Sequence, residues 1–182
     1  MIRFSYITLL LIAGALISSL GGPVLLLIYV ILCIDKVGFG TTQVQAMGIE
    51  LTSFATIIMG LNFSIIPTFA YIMVVYPMLE FARGLAHKEE VGPEILTENF
   101  FEWVLAAIVW ALKGVLTPNG VVSSLPIISV VFISLLAKDI ALYLKELIIE
   151  SEVPFNPGIF INIPFNIFLF LLIGNNIAFL FL

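Results

Sequence analysis

The hydrophobic positions in this chain fall in long unbroken runs rather than in alternation. Alternation would read as half-buried strands, whereas runs of this length read as helices surrounded by hydrocarbon. The first runs from Phe4 to Ile34. A straight helix of that length measures about 46 Å, against a hydrocarbon layer of about 30 Å. Gly21, Gly22 and Pro23 sit in its middle. Proline removes a backbone donor and crowds the preceding turn, so one kinked, tilted span is expected, with two short half-helices as the alternative. The second run, Leu51 to Leu79, contains Asn62, Pro67 and Pro77. Its pattern predicts a span bent at Pro67, with Asn62 or Ser64 close enough to satisfy the freed carbonyl. Tyr71 and Tyr76 are expected at headgroup level.

The third span is expected at Asn99–Thr117, just long enough to cross when the side chains at its ends reach toward water. An amphipathic helix lying in the interface is its rival. Thr117-Pro118-Asn119-Gly120 then spells a tight turn. A fourth helix follows from Val121 to about Ala137, and AKDIALYLKELIIESE keeps apolar residues at helical spacing beyond it. The segment Val153 to Gly158 stops that helix, and Ile159 to Leu182 forms the last run, interrupted by Gly174-Asn175-Asn176. Two adjacent amides in hydrocarbon are costly unless paired.

Between the second and third runs lies Glu80 to Glu102, which holds eight of the nineteen charged residues and the single histidine, His87. It divides the chain into an N-terminal membrane half (1–79), a polar acidic connector (80–98) and a C-terminal membrane half (99–182). The predicted fold is all-α: a polytopic transmembrane helical bundle of about five spans with kinked first and second helices. Five spans put Arg3, Arg83, Lys88 and Lys145 on one side and Lys36 and Lys113 on the other. The excess of basic residues then predicts a cytoplasmic-side N-terminus and a C-terminus on the opposite side.

Composition supports an integral membrane location. The chain of 182 residues is 62% hydrophobic and 10% charged, while soluble domains carry roughly a quarter of charged residues. A net charge of -5 argues against a nucleic-acid partner, which needs a basic footprint. The lipid bilayer and other membrane subunits are the expected partners. The basic, apolar amino terminus continues past Gly21-Gly22-Pro23 without a cleavage motif and reads as a retained membrane segment. Cys33 stands alone in an apolar run and reads as a small buried hydrophobe.

Candidate chemistry is sparse. His87 with Glu89 and Glu90 is too small a set for a zinc site. There is no glycine-rich phosphate loop and no nucleophile elbow, so no catalytic residue, metal site or cofactor is assigned and an independent enzyme is not expected. Lipid or quinone contact is open to the abundant aromatics, with no motif behind it. Glu94, Glu98 and Glu102 recur every fourth residue and share a helix face. Glu102 is the one expected at membrane depth, with Lys138 of a neighbouring helix as its partner. Asn62, Asn175 and Asn176 complete the set of candidate intramembrane polar or ion-pathway residues.

The stretch Glu150-Ser151-Glu152-Val153-Pro154-Phe155-Asn156 resembles the loop after a transmembrane helix in the quinone-side membrane subunit of proton-pumping NADH dehydrogenases and related membrane hydrogenases. The acidic run that follows in that family is replaced here by PGIFINIPF, so the resemblance stops before the chemically important part. The leading functional expectation is a non-catalytic accessory or structural subunit of a larger membrane complex. The alternative is an ion or small-solute transporter component, including a proton-handling subunit of a respiratory- or hydrogenase-type complex.

Overall fold

A computed structural model describes residues 2–39, 50–87, 92, 94–116, 124–149 and 158–174. Every regular element among them is a helix. Helix α1 covers Ile2–Leu20 and α2 covers Gly22–Cys33, which runs on as a π-helical stretch, Ile34–Phe39. Then come α3 (Leu51–Asn62), α4 (Ile65–His87), α5 (Glu94–Leu116) and α6 (Ser124–Ile149). The last is α7 (Gly158–Leu169), continued by a π-helical Phe170–Gly174. Two of these helices are long and apolar enough to cross a membrane, over Ile65–Ala86 and Ile127–Lys145.

The first apolar run is not one kinked helix: it is broken and folded back. Tyr29 donates its hydroxyl to the Leu11 carbonyl at 2.6 Å, although residues 11 and 29 of a straight helix would lie about 27 Å apart. The reversal is made at Gly22, whose φ of 85° is a backbone state that side chains disfavour and glycine adopts freely. Pro23 then falls in the first turn of α2, where its missing N–H costs nothing. The two arms meet closely because Gly14 has no side chain. A Cβ there would come within 2.6 Å of the Tyr29 ring.

The second run also breaks, four residues before the expected bend. Phe63 is extended, with φ -116° and ψ 163°, so Pro67 lies in the first turn of α4 rather than in a helix interior. Helix α4 doubles back, because Thr56 and Tyr76, twenty residues apart, share a hydrogen bond of 2.8 Å. Asn62 stays at the break, where its amide donates to Ile58 of its own helix. The carbonyl of Leu61, freed at the break, is taken instead by Lys113 from α5, at 2.6 Å.

Helix α3 is the centre of the bundle: every residue from Thr52 to Leu61 is buried. It rests against α5, where a Cβ on Gly60 would meet the Ala106 carbonyl at 2.8 Å. Helix α5 in turn contacts α3, α4 and α6 and buries Asn99, Glu102, Leu105, Ala106 and Val109. It is therefore an inner helix, not a peripheral one. One apolar cluster draws on α2 through α6 and on Phe170, so the stretches before and after the acidic connector share a single core. The connector itself is partly helical. Helix α4 continues to His87, and Glu80 and Ala82 are buried within it. Helix α6 passes through Ala137 without interruption. The turn at Thr117–Gly120, the Glu150–Asn156 stretch and the pair Asn175 and Asn176 lie outside the described residues.

Candidate functional site

The polar side chains inside the bundle converge on the first two turns of α3. Glu50, just ahead of the helix, has an extended backbone and makes no capping bond of its own. The cap comes from Asp35 in the π-helical stretch after α2. Its carboxylate accepts from the Leu51 amide at 2.9 Å, the Thr52 amide at 3.2 Å and the Thr52 hydroxyl at 2.5 Å. A carboxylate on these free amides also complements the positive end of the helix. Glu50 is thus left to turn its side chain toward α6.

There it meets Lys138. The ammonium lies 3.4 Å from Glu50, 2.6 Å from the Ser53 hydroxyl, and in direct contact with Glu102 of α5. Lys138 and Glu102 side chains are each only 5% exposed, while that of Glu50 is 30% exposed. One cation therefore serves two acids, one inner and one nearer the outside. Ser53 stands between the acids, 3.3 Å from Glu50 and 3.4 Å from Glu102. Having accepted from Lys138, it can give its single proton to either.

The other oxygen of Glu102 leads further in. It accepts from Thr56 at 2.5 Å, a length typical of a hydroxyl bonded to a charged carboxylate. The Thr56 hydroxyl also faces the Thr52 carbonyl at 2.9 Å; with two acceptors for its one proton, it accepts from Tyr76 in the 2.8 Å bond between the two hydroxyls. The order is Tyr76 to Thr56 to Glu102. The Tyr76 hydroxyl also lies 3.9 Å from the Met59 sulfur.

A second charged group adjoins the first. Lys36 pairs with Glu80 at 2.9 Å, and Glu80 with Arg83 at 3.1 Å. Burial works to neutralise Lys36, but Glu80, Glu50 and Asp35 outweigh it and hold the ammonium above its ordinary range. Burial would likewise raise Glu50, but Lys138 and Lys36 outweigh it and hold the carboxyl below its ordinary range. For Asp35 burial wins, and the carboxyl is raised despite Lys36 and its hydrogen bonds. On the far side, Asp139 is buried on α6. Asn166 donates to Asn162 at 2.6 Å and to the Glu50 carbonyl at 3.3 Å. The described interior therefore gathers five carboxylates (Asp35, Glu50, Glu80, Glu102 and Asp139) around Lys36, Arg83 and Lys138.

The structure brings together Glu102 and Lys138 and leaves Asn62 at the opposite end of α3. Asn175 and Asn176, and with them Glu89 and Glu90, are outside the described residues, as are the side chains of His87, Glu94 and Glu98. Tyr71 and Tyr76 are both buried, Tyr71 bonded to Ser18 of α1 at 2.7 Å and Tyr76 to Thr56. Their hydroxyls found partners inside the bundle because α1 and α3 fold back beside α4. Glu50, Ser53 and Thr56 did not figure among the sequence candidates. Their signal was present, since a spacing of three places them along one face at the start of an apolar helix. Among the described residues no three His, Cys, Asp or Glu side chains are gathered to hold a metal.

No family model, curated protein or solved structure matches this chain.

Proposed function

We propose that this chain is a multi-pass membrane protein that handles protons as a component of a membrane transport assembly. The observation that carries the reading is Lys138, buried between Glu102 and Glu50 and carried on a helix of membrane-crossing length and composition, Ile127–Lys145. Ionisable groups at membrane depth are expensive and are retained mainly for ion and proton pathways. Two acids sharing one base leave a net negative charge, which one proton neutralises without any new ligand cage. A proton added to Glu102 makes it a neutral acid and releases Lys138 toward Glu50. Loss of that proton restores the original pairing.

In this reading α4, α5 and α6 cross the bilayer in full, while α1 and α2 form an antiparallel pair. Helix α3, with 12 residues, is about 18 Å long and ends inside. The fold-back at Gly22 also revises the sides. Lys36 lies with Glu80 and Arg83, at the same end as the start of α1 and opposite Lys113. That end then collects Arg3, Lys36, Arg83 and Lys145, which supports a cytoplasmic N-terminus.

A second reading, a non-catalytic accessory subunit, is favoured by the apolar outer faces. Phe4 is 76% and Leu20 89% exposed on α1, and a neighbouring subunit would cover them as well as lipid does. Purification in mild detergent followed by native mass measurement and flux assay separates the two. Proton flux that stops with Glu102→Gln supports proton handling. A stable hetero-complex whose assembly and function survive Glu102→Gln supports the accessory role instead.

A further inference from the structure

We propose that Ser53 is the hydroxyl through which a proton passes between the outer acid, Glu50, and the inner acid, Glu102. This rests on the proton-handling reading of Lys138 and its two carboxylates, and adds to it the residue that joins them.

Ser53 lies in the first turn of α3 and is fully buried. Asp35 fixes that turn through the Leu51 and Thr52 amides. The Ser53 Oγ lies 3.3 Å from Glu50 Oε2, 3.4 Å from Glu102 Oε1 and 2.6 Å from Lys138 Nζ. Lys138 Nζ reaches the same two carboxylate oxygens. One ammonium and one hydroxyl therefore bridge a single pair of acid oxygens. The two acids differ in access: the Glu50 side chain is 30% exposed and that of Glu102 is 5% exposed. A proton from outside reaches Glu50 first.

The two bridges are not equivalent. An ammonium has three protons and no lone pair, so it cannot take a proton from Glu50 until it has given one away. Giving one away would leave a neutral amine between two acids whose charge favours the ammonium. A hydroxyl has one proton and two lone pairs. Ser53 accepts from Lys138 with one lone pair, keeps the other for Glu50, and has its proton for Glu102. Thr56 is not a substitute. Its hydroxyl holds the other oxygen of Glu102, Oε2, and otherwise faces the Thr52 carbonyl and Tyr76.

The step balances. With Glu50 protonated, its O–H bond breaks as the proton joins Ser53 Oγ. The O–H bond that Ser53 already had breaks as that proton joins Glu102 Oε1. Glu50 is left a carboxylate, Glu102 a neutral acid and Ser53 a hydroxyl, with the total charge unchanged. Lys138 stays an ammonium and moves toward Glu50, where the negative charge now lies. Rotation of the serine hydroxyl aims its proton at Glu102 again. The contacts of 3.3 and 3.4 Å shorten as the protons move, as hydrogen bonds of resting sites do when the reacting state forms.

The test uses the purified full chain in lipid nanodiscs. After a rapid drop in pH, time-resolved infrared spectra follow the protonated-carboxyl bands, assigned with Glu50→Gln and Glu102→Gln. In the native chain the Glu50 band is expected to rise first and to give way to the Glu102 band. Ser53→Ala should leave the rise of Glu50 in place and slow that of Glu102 by about 100-fold. Ser53→Thr keeps a hydroxyl at the site and should restore the transfer. A serine that only anchored Lys138 would change the final heights of the bands and not the delay between them. Should Ser53→Thr not fold, the delay in Ser53→Ala at unchanged final heights decides the matter. A Glu102 band that rises at the native rate in Ser53→Ala, that precedes the Glu50 band in the native chain, or whose delay Ser53→Thr does not shorten, overturns the inference. Proton flux with Glu102→Gln is measured in parallel in liposomes. Flux lost there with no delay in Ser53→Ala sinks the role of Ser53 alone. The delay with flux intact in Glu102→Gln sinks the proton-handling reading and leaves Ser53 as the path between the two acids.

Discussion

Lys138 touches two carboxylates, so losing the lysine and losing Glu102 have different costs. Lys138→Met leaves Glu102 and Glu50 without their shared cation, and breaking a buried pair from one side costs about 3–5 kcal/mol. Glu102→Gln should cost less, because Lys138 keeps Glu50 and Ser53. The double variant Glu102→Leu with Lys138→Met should recover much of the loss, since apolar replacement of a buried pair is often neutral or better. Denaturant unfolding in a mild detergent checks the order. A Lys138→Met protein as stable as Glu102→Gln would mean that Glu50 does not share the lysine. At the inner end, Tyr76→Phe removes the donor to Thr56 and is expected to cost about 1 kcal/mol. The Glu102–Lys138 pair was legible because charges stand out in an apolar sequence. The hydroxyls were not, because Ser, Thr and Tyr are ordinary in membrane helices and only the fold-back of α4 brings Tyr76 to Thr56.

Two glycines carry the shape of the elements. Gly22→Ala forces a side chain into a left-handed backbone state, at about 1–2 kcal/mol, and loosens the α1–α2 hairpin held by Tyr29. Gly60→Val drives a branched side chain into the Ala106 carbonyl and Val109, an overpacking of about 1–3 kcal/mol. Thermal unfolding should show both losses, and proteolysis should open the Gly22 variant first between α1 and α2. Helix α3 is held at its poles by opposite charges, Asp35 at its start and Lys113 at its end. Lys113→Met frees the Leu61 carbonyl, and a buried acceptor left unpaired costs about 1–3 kcal/mol. The apolar runs and their breakers could be read directly from the chain. Whether a breaker kinks a helix or reverses it could not. Gly21-Gly22-Pro23 permits both outcomes, and the choice depends on what α2 finds to pack against, here the Gly14 surface of α1. Pro67 misled for a related reason: proline marks a boundary nearby without saying on which side of itself the helix starts.

Among the described residues the buried carboxylates gather at one end of α3, facing α4, α5 and α6, while Met59 and Gly60 in its other half are buried, Gly60 against Ala106 and Val109 of α5. The acidic connector hid part of this arrangement. Glu80 reads from the sequence as the edge of a wet loop, yet it is the buried anchor of Lys36, because α4 runs seven residues past it to His87. The measurement that bears most directly on the role of Glu102 and Lys138 is proton uptake by sealed liposomes holding the purified chain, driven by an imposed membrane potential and read with an internal pH dye. Uptake is expected in the native chain and in Asn62→Ala, and background rates in Glu102→Gln and Lys138→Met at matched incorporation. Equal uptake in all four, or none in the native chain and its assembled complex, would contradict a proton-handling triad.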